Sequence, residues 1–278
     1  DNNSVAGIAT GAVFAAVGNG ADINGVAAYV GGIAGAVADV GDHIFAAASV
    51  WEGSDPVFDG NQVSIIGHGV GASLASVVAS IDSNITHAAL LSPSGALAYS
   101  FESSATVGPM LEAGLAAAAG LTKGSGDWNS FFFALQTLLD AADPINYADE
   151  LKDSGKPVYI LQVEDDAFFP STVALPTPTF LGGTSVLARE IGVTATSSSI
   201  TDGPVHAMVT FKSGETHASH TSILSPAIGC AETDVSCVAF QNEVRLEMLS
   251  QVGSFIKSGG MRLTINPRAE QSGNQLVE

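Results

Sequence analysis

Residues Gln62-Val-Ser-Ile-Ile-Gly-His-Gly-Val-Gly-Ala-Ser73 constrain the fold more than any other stretch of the chain. A short apolar run suited to a β-strand ends in Gly67-His-Gly-Val-Gly71, and a helical pattern of small and apolar residues follows from Ala72 to Ile81. Strand, sharp turn and helix in that order match the nucleophile turn G-x-S-x-G, with glycine at position 69 where the motif has serine. The central residue of such a turn adopts a φ that glycine accepts at no steric cost, and Gly67 and Gly71 are expected to let strand and helix come close. The turn is kept while its attacking oxygen is missing. A dinucleotide-binding G-x-G-x-x-G would need glycine at Ala72, and no Gly-Lys-Ser/Thr follows to form a phosphate loop.

Charge narrows the function classes. The chain has 28 acidic residues against 9 basic ones and a net charge of −19, which repels nucleic acid and anionic membrane surfaces, so no nucleic-acid partner is expected. Its 278 residues suffice for a full core, and one domain is expected. Cys230 and Cys237 enclose a short polar loop that a disulfide can close, which points to an oxidising compartment and a secreted or cell-surface protein. None of the six histidines forms an H-x-x-x-H pair, and the spacing of His217 and His220 lacks companion ligands, so neither metal nor cofactor is expected. Residues Ser4 to Ala21 carry no charge, but their glycines, Thr10 and Asn19 favour a buried helix over a membrane span.

Near-continuous apolar runs mark the strands: residues 62–66, Thr86–Ser92, Pro157–Val163 and Val205–Phe211, with helices between them. The expected class is α/β, a mostly parallel sheet with helices on both faces. Two helices are expected before residue 50, the second over Ile23–Ala38, and a last one over Asn242–Ile256. Residues 95–155 form an insertion with helices near Pro109–Ala119 and Trp128–Ala142, and 258–278 a tail. At least one of Phe131, Phe132 and Phe133 is expected in a core, because three successive aromatics point in different directions on a helix.

A serine turn needs an acid and then a histidine later in the chain. After the third strand comes Glu164-Asp-Asp166-Ala-Phe-Phe-Pro170, and after the last Lys212-Ser-Gly-Glu-Thr-His217-Ala-Ser-His220. Each is ordinary as a loop residue; their joint order behind the right strands is what points to a triad.

These elements together resemble the secreted bacterial lipases that include surface-exposed lysophospholipases, within the α/β-hydrolase superfamily. The likeness rests on the turn at Gly67–Gly71, Leu90-Leu-Ser-Pro-Ser-Gly95, Val107-Gly-Pro-Met-Leu-Glu-Ala-Gly114 and Asp143-Pro-Ile-Asn-Tyr-Ala148. It continues in the D-x-x-x-P loop from Asp166, Leu181-Gly-Gly-Thr-Ser-Val-Leu187 and the S-H-x-S loop around His220, and covers about residues 60–260. The resemblance implies an α/β-hydrolase fold with residues 95–155 as a cap, Gly69 at the nucleophile position, Asp166 as the acid, His220 as the base and the Val70 N–H in the oxyanion hole. Glu164, Asp165 and His217 are the alternatives for acid and base, and His68 is read as a packing or hydrogen-bonding residue.

The implied activity is hydrolysis of lipid or other carboxylic esters, and the missing serine makes the chain inactive as it stands; a non-catalytic role in binding or assembly is the other reading. No strands before residue 62 are legible, so this is expected to be the C-terminal part of the domain. A second polypeptide, either the N-terminal part of a precursor or a neighbouring subunit, is expected to complete the sheet.

Overall fold

In a computed structural model, residues 63–174, 180–213, 218–225, 235–266 and 276–277 are described. The two helices expected before residue 50 lie outside them. Strand β1, Val63–His68, passes through Gly69 directly into helix α1, Val70–Ile81, and β2, Ile85–Leu91, returns beside β1. Next come α2 (Leu97–Ser103), α3 (Gly108–Ala119), α4 (Gly126–Leu139), two 3₁₀ turns and α5 (Ala148–Asp153). Strand β3, Val158–Val163, precedes a two-stranded antiparallel ribbon of β4 (Val173–Ala174) and β5 (Phe180–Gly182). Helix α6 (Thr184–Ile191), β6 (Thr194–Ala195), β7 (His206–Phe211) and α7 (Val235–Lys257) complete the described elements.

Five strands form a parallel sheet in the order β1-β2-β3-β7-β6. Alternation sends Ala88, Leu90, Val158 and Ile160 to one face, where they pack on α1, α5 and α6 through Ala75, Leu151 and Leu187. The other face, with Ala89, Leu91, Tyr159, Leu161 and Val209, packs on α7 through Val244, Met248 and Phe255. Burial on both faces explains why these strands read as unbroken apolar runs.

Several elements differ from the sequence expectation. Helix α7 starts at Val235, not Asn242, and α4 ends at Leu139 with a 3₁₀ turn completing the stretch to Ala142. Helices α2, α5 and α6 and the short strands β4, β5 and β6 had no legible signal. Of the expected tail, the described residues are packed on the domain: Leu263 pairs with Ile200, Val277 pairs with Phe211, and Leu263, Ile265, Leu276 and Val277 are buried.

The helices between β2 and β3 have a small core of their own, formed by Ala98, Trp128 and Phe132 with Leu111, Leu115 and Leu135 against it. Phe132 is thus the core aromatic of its trio, while Phe133 is 69% exposed. Asp143 fastens this excursion at its base. Its buried carboxylate accepts the N–H groups of Ala96, Leu97 and Ile145 at 3.0, 2.6 and 3.1 Å and the Gln136 side-chain amide at 2.9 Å.

Strand and helix cross most closely at Gly67, where a Cβ would overlap the Gly71 carbonyl and come within 2.5 Å of the Ala72 Cα. Gly71 is different from the expectation: a Cβ there meets nothing within 4 Å, so only its backbone takes part in the crossing. Gly67→Ala is expected to destabilise the protein by about 2 kcal/mol or more, the usual cost of overpacking. Gly71→Ala should leave stability unchanged or raise it by about 0.5 kcal/mol through helix propensity. Urea unfolding of the two variants separates them.

Candidate active site

Parallel strands end at one edge of the sheet, and the three sequence positions of interest follow three of those ends. Gly69 follows β1, Asp166 lies three residues beyond the end of β3, and His220 lies in the segment after β7. The carboxyl ends of parallel strands are where α/β proteins place their ligands.

Gly69 sits at φ 58° and ψ −124°, a conformation that side-chain-bearing residues adopt only under strain. Its N–H donates to the Leu91 carbonyl at 2.8 Å, and its carbonyl accepts from Ala72 and Ser73 at 3.0 and 3.2 Å. The turn is therefore pinned on both sides. A Cβ built on Gly69 would lie 2.8 Å from His220 Nε2 and 3.2 Å from Cε1, so a side chain at this position aims at the free nitrogen of the imidazole. Val70 opens α1, and the first N–H groups of a helix have no acceptor within it.

His220 Nδ1 donates to Asp166 Oδ2 at 2.8 Å, which leaves Nε2 of the neutral ring without a proton. Asp166 Oδ1 accepts the N–H groups of Phe168 and Phe169 at 2.8 and 3.2 Å. Burial pushes this carboxyl up, but the hydrogen bond and charge of His220 and the two backbone donors outweigh burial and hold it below the usual carboxylate value. A carboxylate that stays ionised and orients an imidazole is what general-base chemistry requires.

The neighbouring acids do not reach the histidine. Glu164 Oε2 accepts the Ser213 N–H at 3.3 Å, and Asp165, turned away at φ 50°, accepts from Ser213 Oγ at 3.4 Å. His217 lies outside the described residues, as does Cys230. Ser73 is fully buried and exchanges hydrogen bonds with the Ser94 backbone, its Oγ donating to the carbonyl and accepting the N–H at 2.9 Å each. It ties α1 to the end of β2 and is committed there.

Sequence reasoning missed two supports. Phe168 stacks on the His220 ring, centroids 4.7 Å apart and planes 26° from parallel. Ser222 is buried and locks the turn, its Oγ accepting the Ser219 N–H at 2.9 Å while its own N–H donates to the Ser219 carbonyl at 3.0 Å. The S-H-x-S spacing is the sequence signal for that lock. His68, expected to pack or hydrogen-bond, does both: its Nε2 donates to the His220 carbonyl at 2.7 Å, and the two rings lie 4.6 Å apart.

Among the described residues no cluster of histidine, cysteine and acidic side chains suits a metal ion, and no helix is long and apolar enough to cross a membrane. An open groove of about 500 Å³ lined by Thr201, Asp202, Lys257 and Arg262 lies toward the opposite edge of the sheet, away from this chemistry. No protein-family model matches the chain, and no match is found among curated proteins.

Burial lowers His68 from the ordinary 6.5, helped by the nearby His220 charge, and burial lowers His87 likewise. A histidine lowered by folding binds its proton more readily when unfolded, so stability is complete above pH 6.5 and declines as pH falls below it. The lowered Asp166 adds a second decline as pH falls below its ordinary 3.8. Unfolding midpoints measured against pH should show both steps, with His68→Gln plus His87→Gln flattening the first and Asp166→Asn the second.

Proposed function

We propose that the chain has an α/β-hydrolase fold of the secreted lipase and lysophospholipase type, with a carboxylic-ester-cleaving centre that lacks its nucleophile. The observation that carries this reading is the aim of residue 69: a Cβ there faces His220 Nε2 at 2.8 Å, while Nδ1 is held by the buried Asp166. With serine at 69, Nε2 takes the hydroxyl proton as Oγ attacks the ester carbonyl. The Val70 N–H receives the developing oxyanion, with a second donor expected from sequence before residue 63. Collapse of the tetrahedral intermediate expels the alcohol, which leaves with the proton from Nε2, and water repeats the sequence on the acyl-enzyme.

The helices of residues 95–155 serve as the cap in this reading, and the ester is a lipid or another carboxylic ester outside the cell. A second reading, a non-catalytic scaffold for binding or assembly, draws on the same contact. The imidazole stands closer to the place of a Cβ on residue 69 than an ordinary carbon–nitrogen contact permits, so the centre is packed for a residue without a side chain.

A completing polypeptide belongs to the proposal as well. Among the described residues β1 pairs only with β2, and Ile66 on β1 is 52% exposed beside that open edge. Apolar parallel strands are otherwise buried, and a bare edge invites a further strand. The proposed donor is a second chain; light scattering and native mass spectrometry should find one, whereas a cooperatively melting 28.1 kDa monomer would mean that this chain completes its own sheet.

The chain as it stands should give no fluorophosphonate label and no turnover of nitrophenyl esters above the control. Gly69→Ser, in the complete assembly, should gain activity while losing about 1–3 kcal/mol of stability to backbone strain at the turn. Adding Asp166→Asn or His220→Ala should then remove most of the gain, on the order of a thousandfold, whereas His217→Ala should not. A folded, inactive Gly69→Ser assembly would favour the scaffold reading.

A further inference from the structure

We propose that His68 is a positioning residue for the ester-cleaving centre: by holding the backbone of His220 it sets the distance between the imidazole and residue 69. The inference rests on the hydrolase reading and adds a residue which that reading does not use.

The sheet order explains why such a tie is needed. Residue 69 belongs to β1 and His220 to the segment after β7, and β2 and β3 lie between those strands. Without a direct link, small displacements across two intervening strands add up at the gap between Nε2 and position 69. The Asp166 hydrogen bond anchors the imidazole to the β3 side, and Phe168 stacks on it from the same loop. Neither contact involves β1.

His68 makes that connection in one step. It is the last residue of β1, its position fixed by pairing with Leu91, and it directly precedes Gly69. Its Nε2 donates to the His220 carbonyl at 2.7 Å, so one hydrogen bond joins the residue beside the turn to the residue that bears the base. The acceptor is a carbonyl, which places the proton on Nε2.

A neutral donor suits this place. The two rings lie 4.6 Å apart, and a fixed cation at 68 would oppose the charge that His220 acquires during proton transfer. Burial and the His220 charge both lower the pKa of His68, which favours its uncharged form. The bond thus holds the histidine backbone without adding charge beside the base.

The test uses the full protein in two forms. In the Gly69→Ser background, His68→Leu should lower kcat about tenfold or more with KM within about twofold, because misplaced groups reduce rate more than ground-state binding. His68→Gln, which restores a side-chain N–H donor, should recover most of the loss. In the unaltered Gly69 chain, NMR of ¹⁵N-labelled histidine should show the His220 Nδ1–H signal shifted and broadened by His68→Leu and restored by His68→Gln. Silence of His68→Leu in both measurements, or equal damage from leucine and glutamine in folded proteins, would overturn the proposal. If every Gly69→Ser variant is inactive while the NMR response appears, the hydrolase reading fails and the positional tie stands.

Discussion

The close crossing of β1 and α1 at Gly67 is the constraint on which the site depends. With no Cβ at that position the helix backbone lies directly against the strand, and the chain must reverse within Gly69 alone, at positive φ. The reversal aims the Cβ direction of residue 69 at His220 and brings the start of α1 to the carboxyl edge of the sheet. Hydrogen bonds from Gly69 to Leu91 and from Ala72 to Gly69 then fix the turn to β2 on one side and to α1 on the other. Ser73 adds a further tie between α1 and the segment after β2. The geometry of the site is thus set by backbone before any charged group enters it.

Charge is handled in a matching way. With nine lysines and arginines in 278 residues, buried carboxylates here are met by N–H groups more than by cations. Asp143 accepts three backbone N–H groups and one amide, and Asp166 accepts two backbone N–H groups and the imidazole. Hydrogen bonds to an ionised acceptor are stronger than neutral ones, and several of them offset the cost of burying the charge. One carboxylate closes the foot of the helical excursion and the other orients the His220 imidazole. The excursion reaches the acid loop directly through the Thr106 N–H, which donates to the Ala167 carbonyl at 3.0 Å.

The parts legible in the sequence are those whose signal is local and repeated. Strands β2 and β3 read clearly because both of their faces are buried, β1 and β7 because apolar residues still dominate them, and the turn at Gly67–Gly71 reads as a motif. Strands of two or three residues such as β4 and β6 have no period to detect, and α2 begins after Ala96 at a left-handed φ with its first N–H capped by Asp143 from 46 residues away. The three acids Glu164, Asp165 and Asp166 are equivalent in composition. What separates them is the backbone: Asp165 occupies a positive φ and turns outward, which delivers Asp166 to the N–H groups of Phe168 and Phe169. Gly71 shows the opposite case, a glycine whose place in the motif suggested a packing need although a Cβ there meets only open space.

Glycine at position 69 relaxes two demands together. A side chain there would force an unfavourable φ on a tightly pinned turn and would press its Cβ on the His220 ring. Beside it stand an imidazole fixed by a buried acid, a ring stacked on that imidazole, a serine-locked turn and the start of a helix. Stability alone does not require an ionised acid and a histidine to be buried together, since replacing buried ion pairs by apolar groups commonly leaves a protein as stable or more so. Under the proposed hydrolase reading their arrangement would support an attacking atom at residue 69, and its presence beside a glycine would separate the stability of the turn from that chemistry.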